Sequence, residues 1–291
     1  MNKCFSSNIG FLEAGTHLIV TRTNDTGYSN PLGEINKAWG EVLINASMES
    51  YLVGYNDPRL PKYFDKAAGG GDGNYRIDIT GTYKGIPQGT GTTHKLYSGH
   101  SRSTISQTTD AVIMTPAEVW FLRAEAALRG ITTENAKECY ENGVRASCEQ
   151  WGVAGEADTY LNSLLVPADY TDAFDANFDL KALSSITPKW DDAATNEEKL
   201  ERIITQKWIA CYPEGAEAWT EQRRTGYPQL FKVFINNSNG TIDTDAMVRR
   251  IPYPGSISAD NPDQHAKLLQ LLGGANTGGT RLWWDAGKNN F

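Results

Sequence analysis

Hydrophobic and polar positions follow a helical period most clearly over residues 114–151. At its start, Thr115, Pro116 and Glu118 place a hydroxyl at the N-cap, proline at the first helical position and glutamate two positions later. Gly130 is typical of the residue just beyond the C-terminus of a helix. The pattern therefore predicts a helical hairpin whose first helix ends near Gly130.

The second helix of this hairpin is expected to carry its apolar and small residues on one face. These residues are Ala136, Tyr140, Gly143, Val144, Ser147 and Trp151, which repeat at helical spacing. The spacing is typical of the second helix in a tetratricopeptide-type repeat. Because one hairpin cannot bury its apolar face alone, we expect it to pack on other elements.

Further helices are predicted before and after the hairpin, over residues 34–54, 158–165, 217–224 and 262–272. Another begins at a capping box formed by Thr195 and Glu198. Its apolar face comprises Leu200, Ile203, Ile204, Trp208 and Cys211. Within the C-terminal half, Arg223 follows Trp219 at i+4, which favours packing with a cation–π contact.

Residues 66–110 differ from the rest, since they are rich in Gly, Thr, Ser and Tyr and poor in Leu. We interpret this segment as a long loop region with short strands at 75–80. Loops of this length in a compact chain are often functional.

The totals are those of an ordinary globular protein: 291 residues, 40% hydrophobic and 21% charged, with a net charge of -8. The acidic balance and the absence of a basic stripe argue against nucleic acid as a partner. No run of apolar residues is long enough to span a membrane.

No cofactor or metal site is predicted. The four cysteines form no CxxC pair, and the sequence contains no GxSxG, HExxH, P-loop or GxGxxG motif. The segment Asp72-Gly73-Asn74 resembles part of a calcium loop but lacks the rest of the EF-hand pattern. A pair of catalytic carboxylates is neither found nor excluded among 35 acidic residues.

Several long phrases, in order along the chain, resemble the SusD/RagB family. They are ESYLVGYNDPRLPKYF (49–64), MTPAEVWFLRAEAALRG (114–130), EEKLERIITQKWIACYPEGAEAWTEQRRTGYP (197–228), RRIPYP (249–254) and GGTRLWWD (278–285). The resemblance implies a mostly α-helical fold of the alpha/alpha superhelix type, in which tetratricopeptide-like helix pairs pack against a loop-rich irregular region. Residues 1–291 would then form a single SusD-like domain corresponding to the C-terminal portion of the family.

The resemblance also implies a function. Family members are outer-membrane, cell-surface lipoproteins that capture glycans or peptides for a TonB-dependent (SusC-like) outer-membrane transporter. Their signal peptide, lipid-modified cysteine and most of their repeats lie in an N-terminal portion that this chain is not expected to contain. Membrane attachment would depend on that lipid anchor.

The loop region offers the side chains that sugar binding requires, which are aromatic rings for stacking and polar groups for hydroxyls. The candidate ligand-binding residues are Asp72, Asn74, Tyr75, Arg76, Tyr83, His94, Tyr97 and Arg102. The alternative for this segment is a solvated loop whose tyrosines anchor it to the scaffold.

We therefore expect a non-catalytic protein that binds starch- or other polysaccharide-derived oligosaccharides. A peptide-binding member of the family, an all-helical glycoside hydrolase and a repeat-type protein-interaction scaffold remain as alternatives. Trp283 and Trp284 cannot face the same way in an extended segment, so one of them is a candidate for surface contact.

Overall fold

Helices dominate the residues that the computed structural model describes, which are 10–13, 18–20, 29–39, 42–70, 75–91, 96–285 and 290–291. In chain order the α-helices are α1 (Pro31–Trp39), α2 (Ala46–Gly54), α3 (Leu60–Tyr63), α4 (Pro116–Leu128), α5 (Ala136–Gln150), α6 (Ala157–Leu161), α7 (Asn196–Ala210), α8 (Gly215–Thr225), α9 (Gly255–Asp260) and α10 (Pro262–Leu272). Single 3₁₀ turns lie at Ala154–Glu156 and Ala176–Phe178. Strand β1 (Leu18–Val20) pairs antiparallel with β2 (Ala111–Met114).

The predicted hairpin is present as α4 and α5. The hydroxyl of Thr115 accepts a hydrogen bond from the Glu118 amide at 3.2 Å, as an N-cap should. At the other end Gly130 has a φ of 68°, and its N–H donates to the carbonyl of Ala127. The N–H of Ile131 donates to Ala126 at 2.8 Å, which completes a Schellman motif.

Helices α4 and α5 approach closely because α5 presents a glycine to α4. A Cβ added at Gly143 would lie 2.8 Å from a ring carbon of Phe121, a side chain with no exposed surface. Tyr140 and Val144 are fully buried at the same contact. The small residue in the repeat-like pattern is therefore required by the packing of the aromatic ring.

Helix α7 covers the hairpin and lies at the centre of the molecule. Its capping box is formed, since Thr195 and Glu198 each bind the other's backbone N–H. Leu200, Ile203 and Ile204 are fully buried, as expected. The helix is also buried on its polar face, where these polar residues are at most 4% exposed: Arg202, Thr205, Gln206 and Lys207. The apolar face of α5 is thus covered within the described part of the chain.

A buried ion pair joins α3 to this centre. The Arg59 guanidinium binds the Asp57 carboxylate at 2.6 Å, and neither side chain has exposed surface. Arg59 also donates to Ser147 of α5 and to Gln206 of α7. Asp57 also accepts a hydrogen bond from the Arg59 backbone N–H at 2.9 Å, which forms an Asx-type turn. A buried charge pair with all these partners fixes how three elements meet.

Three elements differ from the sequence-based prediction. The helix predicted over 34–54 is wrong as one element, because α1 ends at Trp39 and Asn45 caps a new helix, α2, by accepting from the Met48 amide. No strand forms at 75–80, where the chain makes bends and turns whose backbone groups bind other loops. The helix predicted over 158–165 is shorter and ends at Leu161.

The C-terminal elements follow the prediction closely. Helices α8 and α10 are confirmed, and the Arg223 guanidinium lies 3.6 Å from the centroid of the Trp219 ring. Trp283 and Trp284 face different ways: Trp283 is 92% exposed, whereas the ring of Trp284 lies 4.9 Å from Arg223. In the described ranges, no helix is both long enough and apolar enough to cross a membrane.

Candidate functional site

The loop region is attached to residues 167–181, a segment that we call the anchor segment. The backbone N–H of Arg76 donates to the carbonyl of Ala173. The Arg76 guanidinium forms two hydrogen bonds with the Asp179 carboxylate, at 2.8 and 3.0 Å. This ion pair is partly exposed, with 28% and 40% of the two side chains accessible. Its remaining donors and lone pairs can therefore reach a ligand.

An aromatic cluster lies beside this ion pair, with Phe174 of the anchor segment at its centre. The Tyr75 ring lies 4.8 Å from Phe174 at a tilt of 31°, and both side chains are half-buried. Tyr97 meets Phe174 edge-on at 5.1 Å, and His100 stacks on it at 6.0 Å. Tyr97 and His100 are buried, so Tyr75 and Phe174 supply the accessible part of the cluster.

A buried carboxylate, that of Asp172, holds the cluster in place. Asp172 has no exposed surface, and its Oδ1 accepts hydrogen bonds from the backbone N–H groups of Phe174 and Asp175. The hydroxyls of Tyr97 and Tyr170 lie 3.2 and 3.0 Å from its Oδ2.

Near this carboxylate is a second buried ion pair, in which Lys84 binds Glu49 at 2.6 Å. The ammonium of Lys84 lies 4.3 Å from the Tyr170 ring centroid. Burial raises the pKa of Glu49, and Lys84 opposes that rise. Buried polar and charged groups therefore fix the position of the loop region.

His100 is the unusual member of the cluster. Its side chain is 2% exposed, and neither ring nitrogen has a hydrogen-bond partner among the described residues. Burial lowers the pKa of His100 to about 4, with Asp172 opposing that shift. The imidazole is consequently neutral at pH 7 and packs as an aromatic ring.

The structure brings together three of the candidate ligand-binding residues. Tyr75, Arg76 and Tyr97 all contact the anchor segment. Tyr83 lies elsewhere, half-buried at a cleft of about 1010 Å³ beside α3 and α6. Arg102 is exposed beside a separate depression that includes Asn36.

The other three candidate residues, Asp72, Asn74 and His94, lie outside the described residues.

The anchor segment was not identified from the sequence as part of the site, because its composition is acidic and shows no regular pattern. Phe174 and Phe178 are four residues apart in this acidic run, and Asp179 follows directly. An aromatic pair in an otherwise polar loop was the available signal. The sequence does not show that this segment packs against the loop region, which lies some hundred positions earlier.

An apolar cleft of about 690 Å³, which we call the α7–α8 cleft, lies next to the loop region. Its walls are helices α7 and α8 and residues 230–248, with apolar side chains that include Trp208, Tyr212, Trp219, Leu230, Ile242 and Met247. Gln88 of the loop region contributes to the rim. This volume is in the range that small-molecule sites occupy.

Several acidic residues on and near α8 form buried or partly buried ion pairs. Lys207 is 1% exposed and binds both Glu217 and Glu221, and Arg224 binds Glu125 and Glu221. Burial raises the pKa of the nearby Glu118 to about 6. Glu118 does not line the α7–α8 cleft. Across the described ranges, no group of His, Cys, Asp or Glu residues is arranged to hold a metal ion.

Comparison with known proteins gives a consistent family. A SusD-like profile, described as "Susd and RagB outer membrane lipoprotein", matches residues 1–285. A search of the curated proteins finds no match.

Solved structures are similar over nearly the whole chain. A SusD homolog from Bacteroides vulgatus is 48% identical with a TM-score of 0.90, covering 99% of this chain and 58% of its own. A chitin-binding SusD homolog from Flavobacterium johnsoniae is 38% identical with a TM-score of 0.91, covering 100% and 58%. A SusD homolog from Bacteroides thetaiotaomicron is 33% identical with a TM-score of 0.85, covering 97% and 59%. The chain thus spans a little under three fifths of these relatives.

Proposed function

Because this chain belongs to the SusD-like family, we propose that it is a non-catalytic glycan-binding part of an outer-membrane nutrient-uptake protein. Its ligands are oligosaccharides derived from starch or another polysaccharide. The full protein is a cell-surface lipoprotein that passes them to a TonB-dependent, SusC-like transporter. Residues 1–291 act as one SusD-like domain in this role.

We place the ligand on the loop region, at the surface formed by Tyr75, Arg76, Phe174 and Asp179, which we call the loop surface. The observation that carries the proposal is a half-exposed aromatic pair beside a partly exposed Arg–Asp pair. Aromatic rings stack on the apolar C–H faces of sugars, and guanidinium and carboxylate groups bind hydroxyls. No bond is made or broken in such capture.

The structure favours different roles for the remaining candidates. Tyr97 is 5% exposed, so it positions Phe174 and carries little contact with ligand. Tyr83 and Arg102 would contact only a glycan long enough to extend beyond the loop surface. Asp72, Asn74 and His94 stay candidates on their sequence alone.

Calorimetric titration with soluble oligosaccharides tests the proposal. The panel contains malto-, cello- and chito-oligosaccharides, the last because one relative is described as chitin-binding. We expect Tyr75→Ala to weaken the best ligand about tenfold or more, equivalent to about 1.4 kcal/mol. Tyr253→Ala is the matched control, since Tyr253 is also half-exposed and packs against an arginine.

Three results would count against this site or this ligand class. Unchanged binding in Tyr75→Ala and in Arg76→Ala would place the ligand elsewhere. Saturable binding of peptides but of no oligosaccharide would assign the chain to the peptide-binding members. Release of shortened sugars from the oligosaccharides would show a hydrolase.

Delivery to a transporter has its own test. The lipoprotein, affinity-tagged and purified from outer membranes in mild detergent, is expected to bring a TonB-dependent transporter with it. Recovery without any such transporter would contradict that part of the proposal.

A further inference from the structure

We propose that the α7–α8 cleft is a second glycan subsite, which binds an uncharged sugar residue carrying an acyl substituent. This inference rests on the proposed function, because the ligand is a glycan. It uses residues that are separate from the loop surface.

The walls of the cleft suit an apolar substituent better than a bare sugar. Trp208, Tyr212 and Trp219 contribute aromatic surface, and Ile242 and Met247 contribute aliphatic surface. An unsubstituted sugar can stack only its C–H faces on such walls, and any hydroxyl directed into them would lack a hydrogen bond. An acetyl or larger acyl group gains free energy from the same burial.

Uncharged polar groups are spaced around this apolar surface. Gln88, Gln222 and Asn237 line the cleft, and their side-chain amides form no hydrogen bond with another described residue. Amides can donate to an acyl carbonyl and accept from a sugar hydroxyl or an N–H. A purely aliphatic ligand would leave these groups unused.

Charge narrows the ligand class further. The ionisable acids that line the cleft are Glu214 and Asp243, and no Lys or Arg is among the lining residues of the described chain. Burial raises the pKa of Glu214. An anionic ligand, such as a fatty acid, a uronic acid or a sulfated sugar, would meet negative charge without compensation. The acids therefore disfavour an anionic ligand, and the apolar walls disfavour the desolvation of any charged one.

Contacts through residues 234–235 connect the cleft to the anchor segment and the loop region. Phe178 of the anchor segment meets Phe234 edge-on at 4.9 Å. The backbone N–H of Phe234 donates to Gln88 at 3.0 Å, and that of Ile235 donates to Gly89 at 2.9 Å. One glycan chain can thus lie across Phe174 and Phe178 and place a substituted residue in the cleft.

A matched pair of sugars tests the inference by calorimetry. Chitohexaose and cellohexaose share length, linkage and neutrality, and differ in an acetamido group against a hydroxyl. We expect the wild-type chain to bind chitohexaose at least tenfold more tightly. Gln222→Ala removes an amide from the cleft, and Ala218→Phe fills the cleft. Both variants are expected to abolish that preference and to leave cellohexaose affinity unchanged.

Ala216→Phe is the matched control, since Ala216 is exposed on the same helix and does not line the cleft. It should retain the wild-type preference. Gln222→Ala guards against misfolding of the bulkier variant, because the Gln222 side chain makes no hydrogen bond with any residue that the structure describes.

The outcomes separate this subsite from the proposed function. Equal affinity for the two sugars, or a preference that survives both cleft variants, would overturn the cleft assignment. Loss of cellohexaose binding in Tyr75→Ala would still support the loop surface in that case. Failure of chitohexaose to bind at all would also overturn the cleft assignment. Binding of no oligosaccharide in the wider panel would overturn the proposed function itself.

Discussion

The hydroxyl of Tyr97 lies 3.2 Å from Oδ2 of Asp172, a carboxylate with no exposed surface, 75 positions away in sequence. This contact ties the loop region to the anchor segment at a buried point. Above it, Phe174 carries the half-exposed Tyr75 ring. The geometry of the loop surface therefore depends on a carboxylate that no ligand touches.

Removal of this carboxylate should loosen both segments together. Asp172→Ala removes the carboxylate that accepts from the Tyr97 hydroxyl and from two backbone N–H groups, and leaves the Tyr170 hydroxyl only its contact with the Gly85 carbonyl. We expect the free energy of unfolding to fall by about 3 kcal/mol, as measured by urea denaturation. Asp169→Ala, at an exposed ion pair with Lys181, is the control and should match the wild type. Equal stability of Asp172→Ala and wild type would show that the buried contact contributes nothing.

The contact between α4 and α5 predicts that alanine at Gly143 is harmful. Alanine favours a helix over glycine by about 1 kcal/mol, yet its Cβ would lie 2.8 Å from the buried Phe121 ring. Overpacking of this kind costs about 1–3 kcal/mol, so the net change should lower the melting temperature.

Gly215→Ala is the comparison for this replacement, because an added Cβ there meets no atom within 4 Å. It should leave the melting temperature unchanged or raise it. A Gly143→Ala variant that melts at or above the wild type would disprove the steric requirement.

Acid sensitivity should arise in part from His100. Its pKa is lowered from 6.5 to about 4, so between these values the unfolded chain binds the proton and the folded chain does not. The stability contributed by the neutral ring is present above pH 6.5, decreases as the pH falls, and is fully lost below about pH 4.

The ring faces Asp172, which opposes the shift, and Lys84, which reinforces it. We expect His100→Phe to lose less stability than the wild type between pH 6.5 and 4, as measured by thermal melting across this range. His265→Phe, at a half-exposed histidine, should keep the wild-type dependence. Parallel curves for His100→Phe and the wild type would contradict the assignment.

The parts of the fold that could be predicted are those fixed by local chemistry. Thr115, Gly130 and Thr195 mark helix ends through bonds to residues at most four positions away. The helix expected over 34–54 was wrong as one element because Asn45, which the apolar pattern placed inside it, acts as the N-cap of α2. Local patterns leave such choices to tertiary contacts.

The site was less predictable than the helices because it depends on tertiary contacts. A tyrosine that stacks on a sugar and one that anchors a loop have the same side chain, and only their partners distinguish them. Tyr97 meets buried Asp172 and serves as an anchor, whereas Tyr75 stays half-exposed. Those partners come from the anchor segment, whose sequence carries no periodic pattern to reveal the pairing.

Capture of glycan by the loop surface can be tested by hydrogen–deuterium exchange with and without a saturating oligosaccharide. We expect the ligand to slow exchange in peptides covering 75–91 and 170–181 and to leave exchange in α4 and α5 unchanged. Protection confined to the α4–α5 hairpin, or none at a concentration where calorimetry shows saturation, would contradict it.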